Sequence, residues 1–317
     1  MILVILKKKR LLNALDLLIW MRRKLIQQGG GGLTLYLPKK WLDAQSLKAG
    51  DEVGIEVFDS ELKIAPANVK EPKKTLELHM GVTRESAVRT FILNAYRLGY
   101  DKIIVTYPGK LDEITGIADK YLIGFEVIEQ EGKFVLESVS EPSYENFEVI
   151  IQRQFYMLGG MMHDLKDKQA EAFAARIYRY DSFLKRCISK GVFSHDAKLF
   201  VWQFLSDFLQ ISRLCLFCHR EISAHGLICS KEEKEMLDNI LEMFELLKSA
   251  YFKLDALFIE KLHTKEEFLR KKGVLILRKR DPVLLHYLMM IARQVYICGS
   301  PLEGILQAKK SGLKKIA

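Results

Sequence analysis

The sequence predicts a multi-domain α+β protein built from a small all-β unit, a small α/β layer and a long C-terminal helical bundle. Three observations carry this expectation. Residues 22–66 alternate apolar and polar positions with the period of a strand. Residues 75–142 interleave strand-like and helix-like runs. From Tyr144 onward the apolar residues recur at helical spacing, as in Met236, Ile240, Met243, Leu247, Tyr251 and Leu254.

Within 22–66, the runs KLIQQ, LTLYLP, EVGIEVF and LKIAP read as strands, with the polar segment WLDAQSLKAGD between the second and third. Gly29, Gly30, Gly31 and Gly32 separate the first two runs. Glycine loses more backbone entropy on folding than any other residue, so such a run belongs at a hairpin turn. Roughly 44 residues of hairpins bury too little apolar surface to stand alone, so this unit is expected to dimerise. The stretch PANVKEPKK places a linker at 67–74.

The connector at 75–142 begins with the strand TLELHM and a helix over RESAVRTFILNAYRLG, opened by Thr83 and Glu85 and stopped by Gly99. KIIVTY is a second strand and GKLDEITGIADKYL a second helix. GFEVIEQ and KFVLESV then form a hairpin across Glu131-Gly132. The bundle at 143–317 divides into helices near 144–189, 194–225, 231–262, 265–275 and 281–309. The breaks fall at Lys190-Gly191, His225-Gly226, Lys272-Gly273, Asp281-Pro282 and Gly299-Ser300-Pro301.

The net charge of +9 is unevenly spread. Residues 1–74 hold 14 Lys/Arg against 8 Asp/Glu, a net of +6, whereas residues 75–142 hold 7 against 11, a net of −4. A basic terminal module beside an acidic middle suits a head that binds a polyanion. The five cysteines (Cys187, Cys215, Cys218, Cys229 and Cys298) sit in apolar, helix-like surroundings. That points to reduced thiols in the cytoplasm and not to a disulfide framework.

Residues 1–21 form an N-terminal extension. KKKR and Asp16 interrupt the apolar runs of MILVILKKKRLLNALDLLIW, so the segment is too short and too charged to span a bilayer, and its order is wrong for a signal peptide. No stable membrane insertion is expected. Two readings stay open: a basic amphipathic surface helix, and a natural start at Met21.

The segment GGGGLTLYLPKKWLDAQSLKAGDEVGIEVFDSELKIAP resembles the SpoVT-AbrB type of DNA-binding domain, with PKKW followed by LKAGDEV as the strongest part. The resemblance implies a swapped-hairpin β-barrel closed by two chains, hence a homodimer through the N-terminal domain. It also implies DNA contacts from Arg22, Arg23 and Lys24 on the first strand and from Lys39 and Lys40 after Pro38. A basic sheet edge gains affinity by releasing counterions from phosphates.

The rest of the chain resembles phosphate uptake regulators in which such a head precedes a PhoU-like helical domain. YLIGFEVIEQEGKFVLES, IIQRQFYMLGGMMHDLKDK and LLHYLMMIARQVYI carry that similarity. PhoU-like helices hold metal through Glu-x-x-x-Asp pairs, which put two carboxylates on one face. Here the matching segments are SDFLQ at 206–210 and MMIAR at 289–293, and neither has two carboxylates. Asp164 and Asp167 on the first helix are three apart; they could contribute metal ligands, and the preferred reading is a solvated face. The expectation is a bundle without metal and a protein without cofactor.

Cys215-Leu216-Phe217-Cys218-His219 matches the CxxCH of c-type haem attachment, which needs export to an oxidising compartment. A zinc site from Cys215, Cys218, His219 and Cys229 is a second reading. The preferred one is that these thiols fill a helix interface as small hydrophobes. HTKEEF lacks the second histidine of a metalloprotease motif, and the glycine run lacks the ending of a P-loop. The chain is therefore expected to be a cytoplasmic, non-enzymatic transcriptional regulator that binds DNA and is linked to phosphate uptake. The alternative is an adaptor that binds a phosphate transporter ATPase or sensor kinase, with the head used mainly for dimerisation.

Overall fold

The computed structural model describes residues 22–28, 32–57, 62–66, 73–81, 84–140, 142–191, 193, 195–277 and 283–314. It divides into two compact units, Met1–Lys73 and Lys74–Ala317. About 65% of the chain is helical, with small sheets and a helical C-terminal region, so the class is mixed α+β.

The first unit holds two antiparallel hairpins. β1 (Ile26–Gln28) pairs with β2 (Gly32–Thr34), with Ile26 opposite Thr34. α1 (Lys39–Ala44) follows Pro38, whose fixed φ suits the residue before a helix. β3 (Val53–Val57) pairs with β4 (Leu62–Pro66), with Ile55 opposite Ile64. Between α1 and β3, Gly50 takes φ +95° and Asp51 Oδ2 accepts the Lys48 amide at 2.7 Å. These two residues account for the turn LKAGD.

The second unit opens with a four-stranded sheet in the order β5-β6-β8-β7. β5 (Thr75–His79) runs parallel to β6 (Lys102–Thr106), so the chain must cross over between them. α2 (Glu85–Arg97) makes that crossover; Thr83 lies outside the described residues, and Arg84 occupies the helix cap without a side-chain bond. α3 (Leu111–Tyr121) leads into the hairpin of β7 (Phe125–Gln130) and β8 (Lys133–Ser138). Glu131 and Gly132 both take positive φ, the signature of the tight hairpin turn expected there.

Among the described residues seven α-helices follow: α4 (Phe147–His163), α5 (Ala170–Ser189), α6 (His195–His225), α7 (Lys231–Lys253), α8 (Leu257–Leu277), α9 (Val283–Ile297) and α10 (Gly299–Lys314). α6 packs on α4, α5, α9 and α10, and α7 on α8 and α9. One continuous hydrophobic core runs from the sheet residues Ile103 and Leu136 through Phe155 and Phe208 to Leu306. The sequence boundary at 142/143 thus passes through one compact unit. α2 and α3 both pack against α5.

Three expected helix limits move, two for a local reason and one for the packing of neighbouring helices. The helix expected over 144–189 is broken because Asp164 Oδ1 accepts the Lys166 amide and Asp167 Oδ1 the Gln169 amide, at 2.9 and 2.8 Å. Such bonds compete with the helical ladder. The helix expected over 231–262 ends at Leu254, which adopts φ +54°, and Asp255 Oδ1 then accepts the Leu257 amide at 2.9 Å. Gly273, expected to stop a helix, lies inside α8. A Cβ there would sit 2.8 Å from Met289 Sδ and 3.1 Å from Met236 Cε, so its role is the close approach of α8 to its neighbours.

Along the stripe read on α7, Met236, Ile240, Met243 and Leu247 are buried, whereas Leu254 is 40% exposed because it has left the helix. The span Val283–Ala308 is long and apolar enough to cross a membrane by length and composition. In the fold it is divided at Cys298 between α9 and α10, and Leu285, Leu288, Val295 and Leu302 are buried.

Candidate nucleic-acid interface

Arg22, Arg23, Lys24, Lys39 and Lys40 are all exposed. Arg22, Arg23 and Lys24 precede β1 instead of lying on it, a correction to the strand reading, since the ladder begins only at Ile26. Lys39 and Lys40 are the first two residues of α1, where Pro38 sets the start of the helix. Gly29, Gly30 and Gly31 lie outside the described residues. Gly32 opens β2 with no heavy atom within 4 Å of a Cβ placed on it.

The same unit leaves its apolar side chains uncovered. Among its described residues none is buried, and Leu25, Leu33, Tyr36, Ile55 and Leu62 are between 55% and 65% exposed. Isolated hairpins do not hold together in water without a further apolar surface to pack on. Exposed cations and uncovered apolar residues therefore occupy one small unit.

The cysteine and histidine cluster lies in the second unit. Cys215 and Cys218 are buried on α6, and Cys229 is half-buried before α7. Burial pushes the Cys215 thiol up, and burial, then Cys229 and two glutamates, push Cys218 up to about 12. Both thiols stay protonated at neutral pH, as buried groups do that no cation faces. His219 Nδ1 donates to the Leu165 carbonyl at 3.0 Å. Among the described residues no three His, Cys, Asp or Glu side chains converge as metal ligands.

The residues weighed for metal elsewhere have other partners. Asp164 and Asp167 build the turn between α4 and α5 and are not on a helix face. Asp207 accepts from Gln203 Nε2 at 2.9 Å, and Arg293 lies 3.4 Å from Glu266. The cations Arg270, Lys271 and Lys272 pair with Glu266, Glu267 and Glu235.

The sequence reading passed over a buried ion network. Asp181 is fully buried, with Lys185 Nζ at 2.9 Å and Arg97 Nη2 at 3.3 Å. Asp101 joins Arg186 and Lys190, each at 2.7 Å. The one local sign was the spacing of Asp181 and Lys185, four apart on a helix. No family model matches this chain, and neither the curated proteins nor the solved structures give a match.

Proposed function

We propose that this chain is a homodimeric, cytoplasmic DNA-binding transcriptional regulator linked to phosphate uptake. In this reading two chains interleave their N-terminal hairpins into one AbrB-like barrel, and the PhoU-like helical region senses a signal or engages a partner. One observation carries the proposal: the N-terminal unit combines five exposed cations with apolar hairpins that bury no described residue of their own. A second copy would cover the apolar faces and bring two sets of cations onto a shared surface. Coupling between helical region and head would require a partner with different affinity for two arrangements of the heads.

The test is the salt dependence of duplex DNA binding by the full chain. Log affinity should fall linearly with log salt, by about 0.9 for each phosphate neutralised. Arg23→Ala and Lys39→Ala should each lower that slope by about 2, because each removes one phosphate contact from both chains of the dimer. Affinity that stays flat as salt rises would leave the adaptor reading in its place. For the dimer, Leu33→Glu with Ile55→Glu should convert the protein to monomer in sedimentation; an unchanged mass would remove the shared barrel. Genome-wide footprints in phosphate-rich and phosphate-starved cells test the pathway, with sites beside phosphate transport genes as the expected result.

A further inference from the structure

We infer that the cleft between α8 and α10 binds an organic cation carried on an apolar body. The cleft measures about 580 Å³, within the range of roughly 300–1,000 Å³ usual for small-molecule sites. Buried Gly299, Gly304 and Ile259 line it, and Phe200 of α6 forms a wall. A Cβ on Gly304 would lie 2.3 Å from the Phe200 ring, so the ring sits directly against the glycine backbone. The lining is therefore largely apolar.

Two carboxylates from different helices stand at this lining, Glu260 on α8 and Glu303 on α10. Glu303 Oε1 accepts from Gln307 Nε2 at 3.3 Å, and among the described residues no cation pairs with either carboxylate. Lys253 and Lys261, the first lysines on either side of Glu260 in sequence, lie 5.1 and 5.7 Å from the centre of the Phe258 ring. Farther along α8, Lys265, Arg270, Lys271 and Lys272 each pair with a glutamate. In a chain of net charge +9, two acidic groups that pair with no cation among the described residues and share one apolar cleft are complementary to a ligand of opposite sign.

An anion entering the cleft would meet like charge, and a neutral apolar molecule would leave the carboxylates unused. An ammonium or guanidinium group can approach both, while its hydrocarbon stem lies along the glycine backbone and the Phe200 ring. His263, held edge-on to Tyr296 with ring centres 4.6 Å apart, bounds one side of the cleft.

The test titrates the full chain with hexylammonium, hexanoate and hexanol, read by ligand-observed NMR and calorimetry. Hexylammonium should saturate at a dissociation constant of about 1 mM, as expected for a ligand of this size. Glu260→Gln with Glu303→Gln should weaken it about tenfold. Hexanoate should not bind, and hexanol should bind more weakly than hexylammonium. Ser300→Trp, at an exposed position in the cleft, should block binding while leaving both carboxylates in place. The site is overturned if hexylammonium fails to saturate, if hexanoate binds as well, or if its affinity is unchanged in either variant. Thermal unfolding of each variant shows that the fold is kept.

Discussion

Arg186 Nη2 lies 2.7 Å from Asp101 Oδ1, tying the last turn of α5 to the turn between α2 and β6. Arg186 is completely buried, and its Nη1 donates to the carbonyls of Tyr96 and Tyr100 at 3.0 and 2.7 Å. Its guanidinium also stands about 5 Å from the rings of Tyr96 and Phe125. The charge is thus paired, hydrogen-bonded and stacked, which is what allows it to be buried.

Asp101→Asn leaves Arg186 buried without a counter-charge. Loss of one partner of such a pair should cost roughly 2–3 kcal/mol. Urea unfolding should show a lower midpoint with an unchanged slope.

The same carboxylate makes stability depend on pH. Burial pushes the Asp101 carboxyl up, but the Lys190 hydrogen bond, the Lys74 amide and the charges of Lys190 and Arg186 outweigh it, and the net shift is downward. A depressed folded value gives stability that is complete above the unfolded pKa of about 3.9. That stability is lost as pH falls below it, through the folded value. Stability measured across this acid range should therefore fall more gently in Asp101→Asn than in the parent chain.

Asp181 and Lys185 behave differently because both are inside. Burial pushes the Asp181 carboxyl up and the Lys185 ammonium down, with their mutual attraction opposing both shifts. Asp181→Ala should cost about 3–5 kcal/mol, since it strands Lys185. Asp181→Leu combined with Lys185→Met should recover most of that loss. A double-mutant cycle in urea measures the difference, and additive losses would argue against the coupling.

Ser230 and Glu233 form a reciprocal cap on α7: Ser230 Oγ accepts the Glu233 amide at 3.2 Å and Glu233 Oε2 accepts the Ser230 amide at 2.8 Å. Ser230→Ala should cost about 1 kcal/mol of unfolding free energy.

Gly273→Leu should cost about 1–3 kcal/mol through overpacking against Met289 and Met236. If Gly273 were a helix stop facing open space, the added side chain would not meet these methionines. Thermal unfolding of Gly273→Leu together with Met289→Ala separates the two cases, because room made at Met289 should restore part of the loss only if the residues touch.

Much of the local structure was legible because its causes are local. The Glu131-Gly132 turn and the breaks after Ser189 and His225 follow from residues that sit at the turn itself. The limits that moved depended on single side-chain bonds, from Asp164, Asp167 and Asp255, which a hydrophobic pattern does not register. Of the candidate interface, the identity and exposure of the five cations could be read ahead, but their placement before β1 and at the start of α1 could not. A two-residue shift in where a ladder begins leaves the alternating pattern unchanged.

By itself the sequence determined which segments are helix and which are strand, where charge accumulates, and that the N-terminal hairpins lack a core of their own. Only the tertiary structure decided that Asp101 meets Arg186 across 85 residues of chain, that Gly273 separates helices instead of ending one, and that Glu260 and Glu303 share a cleft. The reason is range. Periodicity and turn chemistry act over a few neighbouring residues, whereas a buried ion pair or a cleft exists only after distant surfaces have packed.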